Sequence, residues 1–291
     1  MLAEASPARP TVTHQRARGR AAVSFHAKGG RTRLDDLHQS GCLKLRLLRA
    51  HGPVPEAVLI NTAGGLTGGD RLAVEASVGA GARAMLATQT AERLYRSIGG
   101  TASMEISLRA EAGSRLAWLP QETIAFEGSA LRRRLDVNLA PDARFLAVEP
   151  LVMGRAAMGE RIERAFLRDD WRVRIDGRLV HTEALRIGPN ARSWLERTAG
   201  WNGAIAAATV LLVAPVAPDL VRPARECVGT LGAVDAWEGP QARLVARLLA
   251  PDGLALRRAL LPLLSLLNGS PLGLGCATSG HGEVLPAVWS L

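Results

Sequence analysis

Four polar segments of this chain carry acidic residues, and each segment lies at or just after the end of a run of apolar residues. These segments are residues 61–70, 88–97, 120–128 and 149–160. Their candidate carboxylates are Asp70, Glu92, Glu122, Glu149 and Glu160. Carboxylates that crowd together must be paired, protonated or metal-bound, because an unpaired buried charge is costly. If the fold gathers the segments, they could handle a divalent cation or acid–base chemistry; the alternative is four solvated loops with routine charge.

The histidines and cysteines do not encode a preassembled metal centre. The six histidines and three cysteines are dispersed, without H-x-H, H-E-x-x-H or C-x-x-C spacing, so no permanent zinc or nickel site with nitrogen and sulfur ligands is predicted. Carboxylates bind late first-row metals more weakly and suit an ion in transit. A G-x-S-x-G nucleophile motif is also absent from the sequence, so nothing indicates a serine hydrolase.

A cluster of glycines precedes the first of these carboxylates. The glycines are Gly64, Gly65, Gly68 and Gly69. Glycine-rich loops can hold phosphate through their backbone N–H groups, but neither a Walker motif nor G-x-G-x-x-G matches this order. The cluster is more typical of positive φ angles or close packing, with Asp70 accepting backbone hydrogen bonds.

Strands with a recurring spacing must position these segments. Apolar and polar residues alternate, with the period of a strand, over residues 72–78, 104–108 and 131–139. Each run leads through a turn into a second apolar run that begins after Arg83, Arg115 or Arg144, and these arginines are 32 and 29 residues apart. A period near thirty predicts stacked β coils or layered sheets, although consecutive hairpins fit as well. In a stack, the polar segments would emerge on one side.

The last third of the chain has a different pattern. We predict a hairpin at 171–180 around Asp176-Gly177, helices at 219–231 and 252–269, a strand within 239–251 and a glycine-rich loop at 272–283. The predicted fold class is mainly β, a β-helix-like stack with about two helices in the C-terminal third. We expect one domain over residues 1–291, with residues 1–20 flexible.

Composition narrows the functional class. Hydrophobic residues make up 47% of the chain and charged residues 22%, as in folded globular proteins. The distant cysteines favour a reducing compartment, and the longest apolar stretch, residues 204–218, is too short to span a membrane. With no apolar signal core near the first residue, we expect a cytoplasmic protein without membrane association.

The positive charge is concentrated near the N-terminus. The net charge is +9, and the first 50 residues contribute a net +7. Nucleic-acid binding is one interpretation, but single-strand binders place aromatic residues among the basic ones, and none of the eleven aromatic residues clusters with these arginines. A solvated basic edge or a dock for an acidic protein is therefore favoured.

Four ordered motifs make the chain similar to a known family. AGGLTGGD (63–70), TQTAERLYRS (88–97), WLPQETIAFEG (118–128) and GRAAMGE (154–160) resemble the urease accessory protein UreD family, called UreH in some organisms. The resemblance implies a cytoplasmic, nonenzymatic, β-rich scaffold that binds UreF, joins the GTPase UreG through that contact and docks on urease apoprotein. It also implies GTP-dependent nickel insertion, with Ni²⁺ in transit through a water-filled passage and no permanently bound cofactor.

The resemblance assigns expected roles to the motif residues. Asp70, Glu122, Glu149 and Glu160 are expected to line or gate the nickel passage, and Glu92 is a weaker candidate. Tyr95, Arg96 and Arg155 are expected to fix the loops by hydrogen bonds and ion pairs. The chain departs from the family at Ala287, where arginine is usual, at Cys42, where proline is frequent, and in the glycine-rich segment 272–283.

Two other functions compete with this interpretation. Gathered carboxylates on stacked β coils also suit a carbohydrate-active enzyme, although the sequence has neither a secretion signal nor many aromatic residues for sugar stacking. The basic N-terminal region motivates nucleic-acid binding as a third hypothesis, which predicts a steep dependence of affinity on salt.

Overall fold

A computed structural model describes residues 15–48, 54–155, 158–269 and 285–289. The strands in chain order are β1 (Arg18–Lys28), β2 (Arg31–Gly41), β3 (Leu43–Leu47), β4 (Glu56–Asn61), β5 (Arg71–Val78), β6 (Arg83–Thr88), β7 (Glu92–Leu94), β8 (Ala102–Ala110), β9 (Arg115–Trp118), β10 (Thr123–Ala125), β11 (Ser129–Leu139), β12 (Arg144–Met153), β13 (Ala165–Ile175), β14 (Arg178–Ile187), β15 (Ala206–Val213), β16 (Gly232–Trp237) and β17 (Arg243–Ala250). The helices are α1 (Ala191–Glu196), α2 (Val221–Val228) and α3 (Gly253–Gly269).

Two sheets face each other across the main core. The described strands form a seven-stranded sheet in the order β14-β13-β11-β8-β5-β1-β2 and a ten-stranded sheet in the order β16-β17-β15-β12-β9-β6-β4-β3, to which β7 and β10 attach near β12. Strands make up 52% and helices 16% of the structure, so the mainly-β prediction is confirmed.

The repeat of about thirty residues corresponds to one turn of a solenoid. The chain passes from β5 to β6, from β8 to β9 and from β11 to β12, each time moving from the seven-stranded to the ten-stranded sheet. Strands one turn apart pair in parallel, as Val74 does with Ile106 and Met85 with Ala117. Consecutive hairpins would pair antiparallel, so the stacked-coil interpretation is correct, with about four turns.

Apolar residues cover both faces of the ten-stranded sheet but only one face of the other. Between the sheets, inward residues such as Ile106, Val137 and Phe145 form the main core. Helices α2 and α3 and residues 285–289 cover the second face of the ten-stranded sheet, where Leu263 and Trp289 are buried. The outer face of the seven-stranded sheet is lined by exposed polar residues, as alternation with period two requires.

The last third matches most of the predicted elements. β13 and β14 form the hairpin, and Asp176 adopts φ 50° and Gly177 φ 74° in its turn. The Asp252 carboxylate caps α3 by accepting a hydrogen bond from the Ala255 N–H at 2.7 Å. Helix α2 and strand β17 lie within their predicted segments, whereas the predicted loop at 272–283 lies outside the described residues.

Two features differ from the sequence-based picture. Residues 18–20 lie in the segment expected to be flexible and belong to β1, where they pair with β5 on one side and β2 on the other; residues 1–14 lie outside the described part. The helix α1 was not predicted, since its six residues are too few to show helical periodicity; Ala191 and Leu195 are nevertheless buried in the main core.

Candidate functional site

The polar segments predicted to share one side of the stack do lie next to each other. Strand β7 pairs in parallel with β10, and β10 pairs with the end of β12, which aligns Glu92, Thr123 and Leu151 across three turns. The glycine-rich segment joins the same group through Leu66, whose N–H donates to the Arg93 carbonyl at 2.7 Å. The backbone therefore gathers the motifs, while each acidic side chain has its own partners.

Asp70 fastens the glycine-rich loop to the start of β1. Its carboxylate is buried and accepts the Ala17 N–H and the Thr67 N–H, both at 2.8 Å. These bonds connect two segments more than fifty residues apart in sequence. The contacts give Asp70 an anchoring function in this loop.

Close packing explains two of the four glycines. A Cβ atom at Gly65 would lie 2.4 Å from the Tyr95 ring, and one at Gly68 would lie 2.1 Å from the Ser97 hydroxyl. The Tyr95 hydroxyl donates to the Gly64 carbonyl at 3.2 Å. Gly64 and Gly69 adopt φ 75° and 90°, a region that favours glycine. The cluster thus permits a tight loop beneath Tyr95.

An aromatic and ionic cluster holds the last motif. The Arg155 guanidinium donates to both carboxylate oxygens of Glu160, at 2.8 and 3.1 Å, and lies 4.3 Å from the centre of the Phe126 ring. Hydrogen bonding from Arg155 lowers the pKa of Glu160. The edge of Tyr95 packs against Phe126 with ring centres 5.3 Å apart. Glu160, Arg155 and Tyr95 together fix the position of these loops.

Arg96 contributes mainly through its backbone. Its carbonyl accepts the Thr67 hydroxyl at 2.9 Å, and the residue forms an isolated β-bridge with Ser129. Its side chain lies over Gly128, where an added Cβ atom would approach the Arg96 Cγ to 3.2 Å.

Glu122 lies next to the C-terminal segment. One of its carboxylate oxygens is 3.8 Å from the guanidinium of Arg257 in α3. The neighbouring Gln121 accepts a hydrogen bond from Arg257 at 2.7 Å and donates to the Val288 carbonyl at 3.1 Å. Glu122 thus belongs to a junction between its motif, α3 and residues 285–289.

Glu92 is a largely buried carboxyl group at the centre of the stacked motifs. The Asn61 side-chain amide contacts its two oxygens at 3.1 and 3.2 Å. Burial is the largest influence and raises the pKa of Glu92 to about 7, against the opposing effect of the Asn61 hydrogen bond; the charge on Asp70 raises it further. Glu92 therefore titrates near neutral pH.

Replacing Glu92 with glutamine is expected to stabilise the protein at alkaline pH. A carboxyl whose pKa is about 7 when folded and 4.5 in the unfolded reference holds its proton more tightly when folded, so its stability contribution is lost as pH rises from 4.5 through 7. Glu92→Gln removes this loss and should raise the free energy of unfolding by up to about 3 kcal/mol at pH 8, with little change at pH 4.5. Urea denaturation at both pH values measures this difference.

The exposed Glu105→Gln variant supplies the matched control, because it changes the net charge equally. It should leave the pH profile of unfolding unchanged. If the free energy of unfolding of Glu92→Gln differs from that of the native protein by the same amount at both pH values, the expected titration of Glu92 is contradicted.

Glu149 lies in a charged cluster between the two sheets. The Trp118 indole N–H donates to one carboxylate oxygen of Glu149 at 2.9 Å, and the guanidinium of Arg133 contacts the other. Arg133 also donates to Asp169 at 2.6 Å and to the Thr123 hydroxyl at 3.1 Å. The side chains of Glu149 and Arg133 are 3% and 5% exposed, so these charges lie within the core.

One arginine thus faces two carboxylates in a buried setting. Burial opposes the charge on Arg133, but Asp169 and Glu149 hold the pKa of its guanidinium above the usual value. Burial and the nearby Asp169 together raise the pKa of Glu149 to about 7, although Arg133 and Trp118 oppose the shift. The excess of carboxylates over cations means that the cluster can bind or release a proton near neutral pH.

This charged cluster lines a cavity of about 540 Å³ between the sheets. Across the cavity, the Arg247 guanidinium binds both carboxylate oxygens of Glu183 at 2.7 and 2.8 Å. The Arg247 side chain is 65% exposed, which places this pair towards solvent. One Asp169 oxygen and the Arg133 Nε are buried without a hydrogen-bond partner among the described residues. The cavity therefore joins a buried charged cluster to a more exposed ion pair.

Arg133 and Asp169 are not among the residues predicted for the site, although the sequence contains a signal for them. In β11, Arg133 has the same parity as the inward-facing Leu131 and Leu135, and in β13 Asp169 has the parity of Leu167 and Trp171. The two residues are register partners in neighbouring strands. A charge at an apolar position in each of two paired strands marks a buried polar site, provided that the pairing is known.

The described residues contain neither a metal cluster nor a membrane-spanning helix. No group of three or more His, Cys, Asp or Glu residues in the described part is arranged to hold a metal ion, and the absence of a permanent cofactor stays a prediction. None of the described helices is sufficiently long and apolar to cross a membrane. The described cysteines, Cys42 and Cys227, are free thiols.

Comparison with known proteins gives a consistent result along nearly the whole chain. The family model described as UreD urease accessory protein matches residues 17–290. The urease accessory protein UreD 1 of Brucella melitensis biotype 1 is 47% identical over 279 residues, covering 95% of each chain. That of Brucella anthropi is 47% identical over 284 residues, covering 96% of each. The urease accessory protein UreD of Mesorhizobium japonicum is 46% identical over 278 residues, covering 95% of each.

Proposed function

This chain belongs to the UreD family of urease accessory proteins, which are maturation factors and not enzymes, and on this premise we propose that it is a scaffold for nickel insertion into urease. In this proposal it binds a UreF-like protein in the cytoplasm, joins a UreG-like GTPase through that contact and docks on urease apoprotein. GTP hydrolysis by the UreG-like partner accompanies the transfer of Ni²⁺. Because the family is not enzymatic, the carbohydrate-active alternative is set aside.

The observation that carries the proposal is the charged cluster of Glu149, Arg133 and Asp169 beside the cavity. Ionic groups between two apolar sheets lower stability relative to well-packed apolar side chains. Their presence is explained if the cavity carries a hydrated cation as cargo. Carboxylate oxygens bind nickel weakly enough to release it, and a cation that arrives at Glu149 would displace the proton retained by this group near neutral pH.

In this proposal, two of the other predicted passage residues bind the cation and two hold the surrounding loops. Glu122, which is half-buried beside Arg257, and Glu92, beside Asn61, are further transient oxygen ligands along the stacked motifs. Asp70 and Glu160 gate the passage indirectly, because their hydrogen bonds hold the loops that surround it.

The proposal predicts that Glu149→Gln lowers nickel delivery while partner binding persists. Cells that carry the urease structural and accessory genes are compared with and without this chain, and bound nickel and urease activity are both measured. Without the chain, both should be lost. Glu149→Gln should lower urease-bound nickel about tenfold, the scale seen when groups that tune a metal site are removed, and should still copurify with the UreF-like protein.

Asp136→Asn is the matched control, since Asp136 pairs with Arg134 on the outer face of the seven-stranded sheet. This variant should leave urease-bound nickel unchanged. Full nickel incorporation with a folded Glu149→Gln variant would remove the passage from the proposal. Equal nickel and activity with and without the chain would overturn the maturation function itself.

A further inference from the structure

A row of arginines crosses the outer face of the seven-stranded sheet. The register of the strands aligns, from β1 through β5, β8, β11 and β13 to β14, the residues Arg18, Arg71, Ser103, Arg132, Arg168 and Arg186. We call the five arginines of this line the arginine row. All five are exposed. Since neighbouring strands lie about 4.8 Å apart, the row extends over about 24 Å.

The five members of the arginine row differ in their ion pairs. Arg168 and Arg186 share the carboxylate of Asp170. Arg18, Arg71 and Arg132 make no ion pair and no side-chain hydrogen bond with any described residue.

The next line of residues on the same face is neutralised. There, Arg20 contacts Glu75 at 2.9 Å and Arg134 pairs with Asp136. Like charges on adjacent strands are destabilising. Arg18 and Arg71 are such neighbours, and Arg132 lies two strands beyond Arg71, next to Arg168. These contacts are unfavourable unless something binds the arginines.

A groove of about 430 Å³ runs beside the first two members of the row. Arg18 and Arg71 line it together with the small residues Ala73 and Ser103. Glu105 also lines the groove. Small side chains between the guanidinium groups leave room for the side chains of an approaching segment.

We propose that the arginine row binds an acidic segment of a partner protein. Guanidinium groups bind carboxylates through paired N–H donors. Carboxylates four residues apart on a helix recur every 6 Å or so, which is close to the spacing of the strands. The proposal goes beyond the proposed function, because this face is turned away from the cavity and its test measures binding alone.

The charges around the row favour an acidic protein over a nucleic acid. Asp170 lies in the next line on the same face, and Glu75 and Asp136 lie in the line after it, where they interrupt the positive charge beside the row. A phosphodiester backbone of uniform negative charge would meet these carboxylates, whereas a helix with carboxylates along one stripe would not.

A peptide titration tests the proposal. The probe is a fluorescein-labelled alanine-based helical peptide with glutamates at every fourth position, compared with its glutamine counterpart and with a single-stranded DNA oligonucleotide of equal charge. Arg18→Gln/Arg71→Gln/Arg132→Gln should weaken binding of the glutamate peptide about tenfold, since three exposed ion pairs are lost. Arg20→Gln/Arg109→Gln/Arg134→Gln alters the net charge equally at paired positions outside the row and should weaken binding of the glutamate peptide at most about twofold at 0.15 M salt.

Several results would overturn the proposal. Equal weakening by the two triple variants would mean that net charge alone attracts the peptide. Tighter binding of the oligonucleotide, lost with the row, would assign the face to nucleic acid, and equal affinity for the glutamine peptide would exclude carboxylate recognition. If thermal unfolding shows that the row variant is not folded, the single variant Arg71→Gln replaces it, with an expected weakening of about twofold and with Arg20→Gln as its control.

Discussion

Replacing Arg133 with methionine is expected to lower the free energy of unfolding by about 3–5 kcal/mol, the loss typical when one partner of a buried ion pair is removed. The substitution leaves the carboxylates of Glu149 and Asp169 between the sheets without their shared cation. Protonation would relieve part of the cost, so the loss should be larger at pH 8 than at pH 5. Urea denaturation at these two pH values provides the measurement.

The neighbouring Arg134→Met variant is the control, because Arg134 lies on the outer face and its ion pair with Asp136 is half exposed. Arg134→Met should lower the free energy of unfolding by no more than about 1 kcal/mol. Removing all three charges, as Arg133→Met/Glu149→Leu/Asp169→Leu, should restore stability, since apolar replacement of a whole buried ionic cluster is neutral or stabilising. An Arg133→Met variant as stable as Arg134→Met would show that the cluster is not buried as described.

The solenoid could be predicted from local patterns because each coil repeats the same alternation of apolar and polar residues and the same spacing. Alternation in segments such as 131–139 fixes which face of a strand is buried, and the spacing of Arg83, Arg115 and Arg144 fixes the length of a turn. Helix α3 was also predictable, since Asp252 and the leucine spacing are local signals. The six-residue helix α1 was not, because burial of Ala191 and Leu195 rather than periodicity stabilises it.

The candidate site was only partly predictable, because its side-chain partners come from distant parts of the chain. The stacking of the motifs follows from the repeat, and it places Glu92 beside the Glu122 segment. Nothing local indicates that Gln121 will meet Arg257, a residue 136 positions away. Arg133 could be identified by parity, but its pairing with Glu149 depends on how the two sheets face each other.

The C-terminal residues 285–289, here called the C-terminal clasp, should be the second most sensitive part of the molecule. Trp289 is 1% exposed, and its indole N–H donates to the Leu119 carbonyl at 2.8 Å. The Arg257 guanidinium lies 5.0 Å from the centre of the Trp289 ring, and the Ala287 N–H donates to the buried Glu56 at 2.9 Å. Trp289→Ala is expected to lower the free energy of unfolding by about 3–5 kcal/mol, as for other buried tryptophans.

The effect of Trp289→Ala should also reach the acidic motif beside the clasp. The Val288 carbonyl accepts hydrogen bonds from both Gln121 and Arg257, so release of the clasp removes support from the segment that carries Glu122. Hydrogen–deuterium exchange should therefore accelerate in residues 117–122 as urea stability falls. Trp237→Ala is the control, because Trp237 is 45% exposed and stacks on Arg243 in the edge strand pair. This variant should lower the free energy of unfolding by about 1 kcal/mol or less. Unchanged exchange near Glu122 in a destabilised Trp289→Ala variant would mean that the clasp stabilises the sheet without positioning the motif.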